Sequence, residues 1–95
     1  MSVDIKIQAP YTLNKLWFIR TVTHYHLGML VEVYPQELVL TDAAWIADTG
    51  RFGHALATGE LSEVEIFPRG ARVVVGRGAI IDAVEWPHAN VEATK

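Results

Sequence analysis

The sequence predicts a mainly β fold: a small antiparallel barrel or sandwich carrying one short helix. Three observations predict it. Apolar residues come in short runs rich in β-branched and aromatic side chains: LWFI (16–19), MLVEV (29–33), LVL (38–40), VEIF (64–67), VVV (73–75) and AIIDAV (79–84). Turn-forming residues separate them, at His26-Leu27-Gly28, Pro35-Gln36, Pro68-Arg69-Gly70 and Gly76-Arg77-Gly78. Short runs at this spacing are the mark of a small all-β domain. A single stretch, DTGRFGHALATGE (48–60), instead has helical spacing. At 95 residues the chain is read as one domain spanning 1–95.

The elements can be taken in chain order. Following Pro10, a turn of helix is expected around Tyr11–Lys15, and a strand over Leu16–Ile19. The next run alternates with period two: Leu27, Met29, Val31 and Val33 on one face, Glu32 and Tyr34 on the other. LVL forms the third strand. In 48–60, Asp48 or Thr49 is placed to cap a helix over about 50–58. Phe52, Ala55 and Leu56 share one face of it, and Gly59 stops it. Val64 and Ile66 alternate with Glu63 and Glu65 in a further strand. VVV and AIIDAV make the last two, and the closing VEATK is expected to fray.

Composition narrows the function. A domain of this size hides only about 60–65% of its chain's surface on folding. Its hydrophobic share, 51% against 20% charged, is rich for a small monomer, which points to subunit contacts. With no cysteine there is neither a disulfide frame nor a thiolate metal site. No run approaches the roughly 18 apolar residues of a membrane span. MSVDIKIQAPYT lacks the basic segment and apolar core of a secretory signal. A cytoplasmic setting is expected. The net charge of −3 argues against general duplex DNA binding, which calls for a basic surface.

The stretch VVVGRGAIIDAVEW (73–86) holds the main functional clue. It is a poor phosphate loop: no Lys-Ser/Thr follows the glycines, and the β-branched run behind them opens no helix. It suits a strand-to-strand turn in which Gly76 and Gly78 are free to take positive φ and Arg77 is held out at the tip.

VVVGRGAIIDAV resembles the second motif of Sm and Sm-like proteins, an apolar strand, then Arg-Gly, then another apolar strand. Upstream, His26-Leu27-Gly28-Met29-Leu30 followed by Leu38-Val39-Leu40-Thr41-Asp42-Ala43 resembles the first motif. The two occur in the family's order and cover about 15–43 and 71–86. The sequence is further similar to small Sm-like proteins attributed to bacteriophages, which implies the cytoplasm of a bacterial or phage-infected cell.

The resemblance implies a strongly bent antiparallel barrel, Sm-like or SH3-like, with the short helix inserted between the third and fourth core strands. Gly28 would permit the bend where a side chain would clash, Leu30, Val33, Leu38 and Leu40 would fill the barrel, and Asp42 would anchor a turn. Copies would join edge strand to edge strand in a closed homo-oligomeric ring of about five to seven subunits. Single-stranded RNA would bind at the pore, with Arg77 as the main contact and Gly78 giving backbone clearance. Neither enzyme activity nor a cofactor nor a membrane is implied.

The sequence departs from the family at two places. The RNA-contacting loop usually carries Asp, an aromatic or His, Met and Asn. Here it reads Tyr34-Pro35-Gln36-Glu37. Tyr34 can stack on a base and Gln36 can hydrogen-bond one, while Glu37 repels phosphate. The stretch 44–70 is also long, and is expected to form an elaborated hairpin offering a surface to a protein partner. Two alternatives follow: a structural or adaptor ring that has lost RNA binding, and a monomeric SH3-like peptide binder.

Other constellations are weaker. His24 and His26 place two imidazoles on one strand face, but a metal site needs further ligands, and no metal is implied. Trp17, Trp45 and Trp86 suit core or interface positions, with a base-stacking platform as the alternative. Glu60, Glu63, Glu65, Asp42 and Asp48 read as solvated carboxylates. No nucleophile–base spacing indicates catalysis.

Overall fold

The computed structural model describes residues 11–91. Residues 1–10 and 92–95 lie outside them, and with them most of the VEATK tail expected to fray. The chain runs β1 (Lys15–Thr21), β2 (Tyr25–Val33), β3 (Glu37–Asp48), α1 (Phe52–Thr58), β4 (Glu63–Ile66), β5 (Val73–Gly76), a 3-10 turn (Arg77–Ala79) and β6 (Ile80–Glu85). It is a mainly β protein, with six antiparallel strands in one sheet and one α-helix.

The strand order is β4-β3-β2-β1-β6, with β5 also paired to β3. The twelve residues of β3 thus serve two neighbours on one edge. Leu38–Leu40 pair with Val73–Val75, while Ala44–Asp48 pair with Glu63–Ile66. The far half of β3 returns as β4 through the helix, so 44–70 is the elaborated hairpin expected of it. Among the described residues no ladder joins β5 to β6, and the sheet stays open between them.

Both faces of the sheet are buried at its centre. One core holds Trp17, Ile19, Leu30, Leu38, Leu40, Ala43 and Val75, with Val33 packed against it. The other holds Phe18, Leu27, Ala44, Ile46, Val64 and Trp86, covered by Phe52 and Leu56 of α1. This corrects the simple alternation read for the second strand. Leu27 and Leu30 are both fully buried, in different cores, while Met29 and Val31 are only partly covered. Two register shifts in the β2–β3 ladder, at Leu27/Met29 and Leu30/Glu32, break the two-residue period.

Gly28 lies at one of those shifts. A Cβ on Gly28 would stand 2.8 Å from the Ala43 Cβ and 3.0 Å from its Cα. That leaves no room for a side chain, as expected of Gly28. Opposite it, Asp42 takes φ 49, the left-handed region. Asp42 therefore sits inside β3 at a bulge rather than anchoring a turn, and Asn90 donates to its carbonyl at 3.0 Å.

The helix starts later than read, at Phe52, and Arg51 occupies its N-cap without a side-chain cap. Asp48 accepts the Gly50 N–H instead, and the Thr49 hydroxyl donates to the Gly50 carbonyl. Gly59 closes the helix as expected, at φ 85. No helical turn forms at Tyr11–Lys15. Leu13 and Asn14 make a turn, with Asn14 at φ 60, and Lys15 already opens β1. Among the described residues no helix is long and apolar enough to cross a membrane.

Candidate functional site

The turn between β2 and β3 is short because Tyr34 N–H donates to the Glu37 carbonyl at 2.8 Å, leaving Pro35 and Gln36 as the loop. Pro35 suits that position, since its ring presets φ and it has no N–H to leave unpaired. β5 runs beside the start of β3, with Gly76 opposite Glu37. The 3-10 turn that follows is therefore delivered next to this loop.

Arg77 ties the two together. Its backbone N–H donates to the Gln36 carbonyl at 2.9 Å. Its Nη1 donates to the Tyr34 carbonyl at 2.8 Å. The guanidinium lies over the ring of Tyr11, 5.4 Å from the centroid. Three of the four residues singled out in the sequence, Arg77, Tyr34 and Gln36, are thus in one cluster, and Gly78 is one residue along the turn. The guanidinium has donors to spare, since one of its five N–H groups suffices for Tyr34.

The glycines behave differently from the sequence reading. Neither Gly76 nor Gly78 takes positive φ. A 3-10 turn reverses the chain here with ordinary negative φ, so the backbone does not demand glycine. A Cβ at either position would meet open space. Nothing within the described chain requires these two residues to be glycine.

Tyr34 is exposed, with its hydroxyl donated to the Glu32 carboxylate. Arg72 Nη2 donates to the same carboxylate at 2.8 Å. The Tyr34 hydrogen bond holds Glu32 below the usual carboxylate range; desolvation opposes it, and the charge and hydrogen bond of Arg72 add smaller contributions in the same direction as Tyr34. In return, the hydrogen bond to Glu32 and its charge push the Tyr34 phenol upward. A folded-state value below the unfolded one means that Glu32 contributes stability above its unfolded pKa, lost as pH falls through the folded value. Tyr34→Phe will move the Glu32 titration upward, toward the ordinary value. Carbon-detected carboxyl NMR against pH measures this, and an unmoved midpoint would show that Arg72 alone sets it.

Tyr11 and Arg72 are members of the cluster that sequence reasoning missed. Tyr11 falls outside both motifs and arrives through a turn in the chain. Arg72 immediately precedes β5, and its reach to Glu32 depends on the β5–β3–β2 order.

The remaining candidates lie elsewhere. The rings of His24 and His26 are 6.3 Å apart, and the close neighbour of His24 is Trp45 at 4.8 Å rather than a carboxylate. His26 is held below the usual histidine range by burial, and secondarily by His24, and its Nδ1 is buried without a partner. Trp17 and Trp86 are core residues, whereas Trp45 is exposed.

No family model, curated protein or solved structure matches this chain.

Proposed function

We propose that this chain is an Sm-like subunit that assembles into a closed homo-oligomeric ring and binds single-stranded RNA at its pore. The observation that carries the proposal is the meeting of loop 34–37 with turn 77–79 around Arg77, the two segments the Sm resemblance assigns to the pore. The anchored guanidinium offers its remaining donors to phosphate or its plane to a base. Tyr34 and Gln36 stand beside it as stacking and hydrogen-bonding groups. Open space at Gly76 and Gly78 is the clearance that an approaching backbone would need.

Assembly has its own support. In the proposed strongly bent barrel, β5 and β6, like β4, have a neighbour on one side only among the described residues. Each exposes a large β-branched side chain, Val74 at 57% and Ile81 at 58%. Pairing β5 of one copy with β6 of the next removes both edges and covers both side chains, head to tail.

Arg77→Ala will weaken binding of short U-rich or A-rich RNA by about tenfold, the loss of one charge-assisted or stacking contact of ~1–3 kcal/mol. Fluorescence anisotropy measures it, with native mass showing that assembly is intact. Unchanged affinity would remove the pore site.

One observation favours a second reading, a structural or adaptor ring without RNA. Glu32 and Glu37 flank the loop, and Arg72 already neutralises only the former. A titration at two salt concentrations separates the readings. An RNA binder loses affinity as salt rises, whereas the adaptor shows no RNA affinity at either salt.

A further inference from the structure

Beyond Asp42, the far half of β3 and strand β4 form a second surface. Trp45 stands at its centre. It is 37% exposed, against 7% for Trp17 and 3% for Trp86. Its cross-strand partners are His26 on one side and Glu65 on the other. Directly paired residues share a sheet face, so an indole and a carboxylate sit side by side there. Trp45, Glu65, Ile66, Phe67 and Pro68 line an open cleft of about 230 Å³. That is room for one side chain rather than for a cofactor-sized ligand.

The lining is apolar except for one carboxylate, and that carboxylate decides the occupant. An apolar side chain would fill the cleft and strip water from Glu65 with no compensation, which is costly. Glu32, Asp82 and Glu60 have ion-pair partners in Arg72, Arg20 and His54. Glu37, Asp42, Asp48 and Glu85 are exposed without one among the described residues, though none of these four lines an apolar cleft beside an indole. Glu65 and Glu63 have no cation beside them among the described residues. They alternate with buried Val64, so both point to the same side of β4, roughly 7 Å apart. A flat cation satisfies both demands of the cleft, stacking on the indole while its N–H fork engages the carboxylate. An ammonium meets only the charge.

We infer that the Trp45–Glu65 cleft binds an arginine side chain from an extended basic segment of a partner protein. The strand spacing of Glu65 and Glu63 matches alternate residues of that segment, giving an Arg-x-Arg pattern. The net charge of −3 favours such a partner. Phosphate is repelled by the same two carboxylates, so RNA is not the ligand of this face. The inference is independent of the ring and of Arg77, and survives the failure of either.

The test uses the full chain and the peptide acetyl-Gly-Arg-Gly-Arg-Gly-amide, with the citrulline peptide of the same shape and no charge as control. The three tryptophan indole N–H signals are followed by NMR during titration. The Trp45 signal will shift saturably with the arginine peptide and stay still with the citrulline peptide. Glu65→Gln, at an exposed position, will weaken binding about fivefold, and Trp45→Leu will weaken it at least as much. Thermal melts confirm that both variants are folded. The inference is overturned by no Trp45 shift at millimolar peptide, by equal binding of the citrulline peptide, or by wild-type affinity in Glu65→Gln.

Discussion

Gly28→Ala will destabilise the protein by about 1–3 kcal/mol, the usual range for overpacking a tight site. Two effects oppose each other. Alanine restricts the unfolded chain, which favours folding by about 0.4–1 kcal/mol. Against this, the new methyl meets Ala43 Cβ at 2.8 Å, Ala43 Cα at 3.0 Å and Leu40 Cβ at 3.3 Å. The nearest obstacles belong to the neighbouring strand's backbone and a side chain that is already a single methyl, so rotation cannot relieve the contact. The clash wins, and the melting temperature falls by at least about 5 °C. Ala43→Gly in the same chain will recover part of the loss by removing the closest atom. A melting curve unchanged by Gly28→Ala would mean that β2 and β3 separate freely at this position, and their close approach would then not depend on glycine.

Phe18→Ala will cost more, about 3–5 kcal/mol. Phe18 is 1% exposed and packs against Tyr25, Phe52 and Trp86, each with its ring centroid 5.6 Å away. These partners come from β2, from the helix and from the segment after β6. The ring is thus the common contact by which the sheet holds α1 and the chain beyond β6. Domains of this size have total stabilities of about 5–15 kcal/mol, so the variant sits close to unfolding at body temperature. Phe18→Leu, which keeps most of the apolar volume, will lose much less. Urea denaturation gives both values. A loss below about 1 kcal/mol for Phe18→Ala would show that the outer-face cluster contributes little, and that α1 is held by other means.

Much of the architecture was legible because it rests on local chemistry. Runs such as LWFI and VVV are β-branched or aromatic and bounded by turn residues, and each became a strand. Phe52, Ala55 and Leu56 at helical spacing, with Gly59 behind them, became α1. The lack of room for a side chain at Gly28 was expected from the Sm resemblance rather than from the local pattern. What failed depended on partners distant in sequence. Leu27 and Leu30 enter opposite cores because bulges in the β2–β3 ladder break the period, and no pattern within β2 announces them. Gly76 and Gly78 suggested a turn of positive φ, but a 3-10 turn served instead. Asp42, not a glycine, took the left-handed position at the bulge.

The candidate site divides in the same way. Arg77 was marked by its own neighbours, the two glycines between apolar runs. Its juxtaposition with Tyr34 and Gln36 follows from β5 pairing with the start of β3, a contact between residues about 40 apart. The Sm resemblance supplied that expectation where periodicity could not. Arg72 on Glu32 and the Trp45–Glu65 cleft are products of strand order, and Tyr11 reaches the guanidinium from the segment before β1.

The central claim is assembly into a closed ring, and the native mass of the untagged protein tests it most directly. Native mass spectrometry in a volatile, near-neutral buffer will show a single closed oligomer of about five to seven subunits. A monomer that persists at micromolar concentration would contradict the account. It would leave β5 and β6 as free edges, remove the pore from around Arg77, and favour a peptide-binding monomer instead.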